Sequence, residues 1–203
     1  MTQVVLASNN AKKLAELRRI LEPLVPGIEV LGLADVTPYD EPAETEPTFE
    51  GNALLKARAC LAATGLPSLA DDSGLCVDAL NGMPGVLSAR WSGVAKDAGG
   101  DAANNALLLS QLSDVPDERR AAQFRAAVAL ATPAGLELVE HGEMAGRILQ
   151  AEHGGGGFGY DPLFAADGYD VSTAELPPEE KDRISHRGKA LTKIAPAVVE
   201  ALS

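Results

Sequence analysis

The sequence predicts an α/β protein, and three stretches carry that prediction. Gln3 to Ala7 is a short apolar run that ends at the polar Ser8-Asn9-Asn10 and passes into leucines and an isoleucine at helical spacing. Leu69 to Cys76 is a second apolar run, interrupted by two adjacent carboxylates and a hydroxyl. Ala122 to Leu130 alternates apolar residues with polar and small ones, the period of a strand with one wetter face.

Taken in order, Gln3 to Ala7 reads as a strand buried on both faces. Leu14, Leu17, Ile20, Leu21 and Leu24 then form the apolar stripe of a helix, with Lys12, Lys13, Glu16, Arg18 and Arg19 between them. The polar loop thus stands at the carboxyl end of a strand and the amino end of a helix, where α/β proteins bind anions. Ile28 to Leu33 reads as a second strand. Thr37 to Pro47, with three prolines and four acids, reads as an exposed loop. An alanine- and leucine-rich helix follows from Phe49 to Thr64 and stops at Gly65.

The acidic stretch at Leu69 reads either as a turn, since Asp, Ser and Gly all favour turns, or as a buried strand that delivers charge and then bends at Gly74. In a continuing pleat Asp71 and Asp72 point to opposite faces and do different work. Beyond it come a turn at Asn81 to Gly85, a short segment from Ala89 to Gly93 and a helix from Asp101 to Leu112 capped by Asp101. The 122–130 strand turns at Thr132 to Gly135 into a partner over Leu136 to Glu140, and a separate strand runs from Gly142 to Leu149. Pro162 to Ala165 is one more short strand. A helical region opens at Pro177, resumes at Gly188 and is interrupted by Pro196.

Composition narrows the function classes. With 46% apolar and 23% charged residues, the chain is an ordinary soluble protein of one domain over residues 1–203. No apolar run can cross a bilayer and no secretory h-region exists, so the expected compartment is cytoplasmic, with no membrane partner. Cys60 and Cys76 stand among apolar neighbours without metal-site spacing and read as reduced core residues. Three scattered histidines, His141, His153 and His186, make no zinc centre. A formal charge of −12 without a concentrated basic face excludes nucleic acid as a partner, yet allows a small anion screened by a divalent ion.

Three local groups could carry chemistry. Ser8, Asn9, Asn10, Ala11, Lys12 and Lys13 form either an ordinary helix cap or a phosphate cradle of backbone N–H groups, the Asn10 amide and a lysine. His153 to Asp161 has five glycines in six positions, two rings, Phe158 and Tyr160, flat enough to stack on a base, and Asp161 as an acceptor. It is not a Walker A loop, because no Gly-Lys-Ser/Thr follows. Lys181 with Ser185-His186-Arg187-Gly188 gathers three cationic side chains in an acidic chain. Ser185 and His186 are adjacent, so their side chains diverge and make no nucleophilic pair. The carboxylates suit Mg2+, an oxygen-seeking ion that keeps spare waters.

The ordered set Ser8-Asn-Asn-Ala-Lys-Lys13, Thr48-Phe-Glu-Gly-Asn-Ala53, Ala70-Asp-Asp-Ser-Gly-Leu75, Pro84-Gly-Val-Leu-Ser-Ala-Arg90, Gly156-Gly-Phe-Gly-Tyr-Asp-Pro162 and Ser185-His-Arg-Gly188 resembles the inosine/xanthosine triphosphate pyrophosphatase family, over essentially the whole chain. The resemblance implies a Mg2+-dependent homodimeric hydrolase that takes ITP, dITP or XTP to the monophosphate and pyrophosphate. It also implies an elongated mixed twisted sheet flanked by helices, in two lobes with a central cleft. By the same resemblance, Ser8 to Lys13 contact the triphosphate, Asp72 is proton acceptor and metal ligand, and Ser73 contacts substrate. Phe158, Gly159, Tyr160 and Asp161 meet base and sugar, and Lys181, His186 and Arg187 meet base and phosphates. Family members often carry an acid directly before the asparagine where this chain has Gly51, with Glu50 one place earlier, and a small residue at position 12 where it has Lys12. By the same resemblance a second metal carboxylate is expected, with Glu44 and Asp71 as the two candidates. Two rivals are a Maf-like pyrophosphatase for pyrimidine nucleotides, which would lack the Gly-Gly-Phe-Gly-Tyr-Asp and Ser-His-Arg motifs, and a module that binds nucleotide without hydrolysing it.

Overall fold

The computed structural model describes residues 2–201. Six strands, β1 (Thr2–Leu6), β2 (Ile28–Leu31), β3 (Ser68–Val77), β4 (Ala121–Ala131), β5 (Glu137–Ile148) and β6 (Phe164–Ala166), form one sheet in the order β2-β1-β3-β4-β5-β6. Strand β1 is parallel to β2 and β3, whereas β5 and β6 are antiparallel. Five α-helices among the described residues accompany them: α1 (Ala11–Leu24), α2 (Phe49–Thr64), α3 (Gly100–Gln111), α4 (Pro178–Ile184) and α5 (His186–Ala201). The fold is the mixed α/β sheet with helices that the sequence predicts.

The chain gathers into two compact units. One takes the chain up to Asp72, Ala126–Gly142 and the chain from His186 on; the other takes Ser73–Arg125 and Glu143–Ser185. In the first unit the pleat sorts the core into two faces. Val4, Leu6, Leu69, Val128 and Leu130 pack with Leu17, Leu21, Leu191, Ile194 and Val198 of α1 and α5. Val5, Ala7, Ala70, Ala127 and Ala129 pack with Ala53, Ala57 and Cys60 of α2. The second unit packs Leu75, Val77 and Phe124 with Leu108 and Leu112 of α3 and with Ile148, Leu163 and Phe164. There the Phe124 and Phe164 rings meet edge to face at 4.8 Å.

Several expectations are corrected. Strand β3 does not turn or bend off at Gly74 but runs on to Val77. A Cβ at position 74 would lie 2.4 Å from Gly85 O and from Ser88 Oγ, so glycine is there for close approach. Strand β5 is continuous through Gly142, where a break was expected. A Cβ at that glycine would lie 1.9 Å from His186 O, again a close passage of backbone. Pro196 lies inside α5 without ending it; buried Leu191, Ile194, Ala195 and Val198 around it offset a proline cost of about 3 kcal/mol. Strand β4 has a wetter face only in its first half, because Ala126 to Ala131 are all buried. The cap of α3 is Gly99, not Asp101. Both cysteines are free and buried, as expected.

Candidate active site

Two consecutive residues of β3 build two different ion clusters, because each follows the face of the residue two places before it. Asp71 follows Leu69 onto the face of α1 and α5. Asp72 follows Ala70 onto the face of α2.

On the first face, Asp71 Oδ2 lies 3.1 Å from Lys13 Nζ of α1 and accepts Arg187 Nε of α5 at 3.0 Å. Arg187 Nη1 reaches Glu16 Oε2 at 3.3 Å. Burial alone would raise the Asp71 pKa, but Lys13, Arg187 and Lys56 outweigh it and hold the carboxyl well below its usual range. Burial lowers the pKa of Lys13, Arg187 and Lys56 adding to this, while Asp71 opposes it. Two cations therefore share one carboxylate that stays ionised.

On the second face, Asn52, fully buried in α2, donates Nδ2 to Asp72 Oδ2 at 3.0 Å. Its Oδ1 accepts the Glu46 N–H at 2.9 Å and so ties down the acidic, proline-rich loop. Lys56, one turn further along α2, places Nζ 2.9 Å from Glu44 Oε1 and 3.5 Å from Asp72 Oδ1. Burial opposes the Lys56 charge, but Asp72, Asp71 and Glu44 together push its pKa up. Burial raises the Asp72 pKa, and Glu44 adds to it against Lys56 and the Asn52 amide. The pKa values of these two sequence neighbours are thus shifted in opposite directions.

At the start of α1, Asn10 is the cap: its side-chain oxygen accepts the Lys12 and Lys13 N–H groups at 3.1 and 3.3 Å. Two donors that a phosphate cradle would have used are therefore occupied. Ser8 Oγ accepts the Asn10 N–H, and Asn9 donates to the Glu41 carboxylate. Ala11 and Lys12 open the helix on its exposed side. Glu50 is exposed, with its carboxylate 3.8 Å from His141 Nε2. His186 is buried at the first turn of α5.

The glycine loop belongs to the other unit, with Ser73 and Lys181. Asp161 organises it from within: Oδ2 accepts the Phe158 N–H at 2.8 Å and Lys181 Nζ at 2.5 Å, while Oδ1 accepts the Thr173 hydroxyl at 3.0 Å. Lys181 Nζ also lies 5.5 Å from the centroid of the Phe158 ring. The Tyr160 ring is not a stacking surface, because it is buried in the core of its unit and its hydroxyl donates to Ser88 O at 2.9 Å. Phe158, half-buried, is the remaining ring.

The sequence profile of the Ham1 family matches residues 4–197. The chain belongs to the Ham1 family. It is 63% identical over 199 residues to a protein of Nocardia farcinica named dITP/XTP pyrophosphatase, covering 98% of this chain and 95% of that one. A solved structure from Mycobacterium abscessus, described as a nucleoside-triphosphatase and dITP/XTP pyrophosphatase, is 56% identical, with a TM-score of 0.76 over 96% of this chain and 99% of that one. A HAM1 protein structure from Coxiella burnetii is 39% identical, with a TM-score of 0.86 over 99% of this chain and 100% of that one.

In this family member, residue-level reading passed over Lys56, Asn52, Glu16 and Ser88. Lys56 had a visible signal: with Asn52, Ala53, Ala57 and Cys60 it lies on the buried stripe of α2, and a lysine there requires a carboxylate partner. Ser88 had only its place in the Pro84 to Arg90 motif. Its hydroxyl accepts the Leu75 N–H at 2.9 Å and donates to Gly85 O at 2.6 Å, which holds that segment against β3.

Proposed function

We propose that the protein hydrolyses non-standard purine nucleoside triphosphates, ITP, dITP and XTP, to the monophosphate and pyrophosphate, and so clears them from the nucleotide pool. The observation that carries this reading is the Asp72 cluster: a buried carboxylate of raised pKa, oriented by Asn52 and flanked by Lys56 and Glu44. A carboxylate whose proton affinity is raised by burial is a better base than a free one. Asp72 accepts the proton of the attacking water while the α–β anhydride breaks and pyrophosphate leaves. Lys56 compensates the negative charge beside it. Lys13 and Arg187, held by Asp71, supply positive charge for the phosphates without searching rotamers at each turnover. The Ser8 to Lys13 loop lies at their side of the unit and is assigned to the triphosphate, and Ser73 to substrate.

The donor set fits Mg2+. No group of three or more His, Cys, Asp or Glu side chains suited to a metal exists among the described residues. Mg2+ takes one or two carboxylates and completes its shell with water and phosphate, which matches Asp72 with Glu44. Asp71 is the weaker choice of the two open candidates, since Lys13 and Arg187 already share its Oδ2. When bound, the ion lowers the pKa of water and screens phosphate charge.

By the family resemblance Phe158 stacks on the base, Gly159 and Asp161 meet base and sugar, and Lys181, His186 and Arg187 meet base and phosphates; Tyr160 acts through the loop backbone. A donor meeting the 6-oxo group of hypoxanthine or xanthine leaves the adenine amine unpaired, which can reject ATP by a factor of about 10⁴. We further place the two units in one cytoplasmic pyrophosphatase domain that works as a homodimer, as the family resemblance implies. No helix among the described residues is long and apolar enough to cross a membrane. A panel of ITP, XTP, dITP, GTP, ATP and dUTP with the phosphate products identified tests the reading. Pyrophosphate from ITP and XTP, with ATP left nearly intact, is expected; preference for dUTP, or binding without hydrolysis, overturns it.

A further inference from the structure

One residue of the glycine loop is gripped on both sides by a single helix. Asp101 and Asn105 stand four residues apart on α3 and so share a face. Asp101 Oδ2 accepts the Gly159 N–H at 3.0 Å, and Asn105 Nδ2 donates to Gly159 O at 3.2 Å. Asp101 is released for this because Gly99, not Asp101, caps the helix. Asn105 is 3% exposed, an unfavourable helix residue kept in a buried position. The next side chain, Asn104, donates to Ser88 O at 3.2 Å, the same carbonyl that receives the Tyr160 hydroxyl.

The consequence falls on Phe158. The Gly159 N–H belongs to the peptide plane that follows the Phe158 Cα, and the Phe158 N–H to the plane before it. Asp101 fixes the first and Asp161 the second. With both planes pinned, φ and ψ of Phe158 are set and only its side-chain torsions stay free. We propose that Asp101 and Asn105 are positioning residues that hold Phe158 in place for stacking on the nucleobase. This rests on the reading of the loop as the base platform. The pinning removes the ordering that binding would otherwise have to supply, so it acts on affinity and not on bond cleavage.

The test compares the full-length protein with Asp101→Ala, Asp101→Asn, Asn105→Asp, Phe158→Ala and the double variant Asp101→Ala/Phe158→Ala. Two quantities are read: KM and kcat for ITP, and hydrogen exchange at the Gly159 amide. Asp101→Ala is expected to raise KM about tenfold with kcat within about twofold, the scale of one hydrogen bond to a charged acceptor. Asp101→Asn keeps an acceptor and should restore KM to within about threefold of the parent. In the Phe158→Ala background the Asp101→Ala effect should vanish, and Gly159 exchange should rise about tenfold in Asp101→Ala but not in Asp101→Asn. An Asp101→Ala variant with the parental KM overturns the inference, as does a tenfold effect that persists without the Phe158 ring. If Asp101→Ala does not fold, Asn105→Asp, which loses the donor and brings a second carboxylate beside Asp101, is read by the same criteria. A parent that fails to hydrolyse ITP would refute the functional reading, and the exchange measurement would still decide the hydrogen bond.

Discussion

Asp71 and Asp72 are one peptide bond apart on one strand, both buried, and the structure surrounds them in opposite ways. Asp71 is saturated by cations: Lys13 and Arg187 share one of its oxygens, and its proton affinity falls. Asp72 is under-compensated: an amide and a more distant lysine face it, Glu44 adds charge of its own sign, and its proton affinity rises. The difference follows from the pleat alone, since α1 and α5 bring cations to one face and α2 brings Asn52 and Lys56 to the other. On the function proposed above, the carboxylate tied by two cations serves as scaffold and its neighbour as base and ligand.

The largest expected effect separates the two sides by metal. Excess chelator should abolish ITP turnover while leaving the thermal midpoint of the ligand-free protein almost unchanged, because only the Asp72 side would hold Mg2+. Turnover that persists in chelator would remove the ion from the account. Next in size is Asp71→Asn, which leaves the Lys13 and Arg187 charges without their shared carboxylate. It should lose about 3–5 kcal/mol in urea unfolding at neutral pH. A loss under 1 kcal/mol would mean that Asp71 is not the structural member of the pair.

The pH dependence sharpens the same contrast. Asp71 has a lowered folded pKa, so its stabilisation is present above the ordinary carboxylate range and is lost as pH falls through the folded value. Asp72, with a raised folded pKa, has the opposite sign: its contribution is present below the ordinary value and is lost as pH rises through the folded one. Asp71→Asn should therefore flatten the acid limb of stability against pH, and Asp72→Asn should not; equal flattening would erase the distinction. Smallest is Phe158→Ala, which should weaken binding by about 1–3 kcal/mol and by similar amounts for each purine. A loss confined to one base would mean that Phe158 reads edges.

Much of this was legible in the sequence where periodicity and side-chain alternation speak clearly. The boundaries of α2, the strand–loop–helix start and the divergence of Asp71 from Asp72 all follow from spacing. What was hidden depends on partners distant in the chain. Gly74 and Gly142 read as breaks because the backbones that approach them, at Gly85 and His186, come from other segments. Asp101 reads as a cap because its true partner, Gly159, lies 58 residues further on. Tyr160 reads as a stacking ring because nothing local says that its hydroxyl meets Ser88 O.

The most direct measurement is pyrophosphate release from ITP by purified Asp72→Asn at saturating Mg2+, on protein whose urea unfolding is followed in the same preparation. The assignment of Asp72 as base and metal ligand requires turnover to fall by at least about 10³-fold, with stability within about 1 kcal/mol of the parent. Turnover close to the parental rate in folded Asp72→Asn would contradict it.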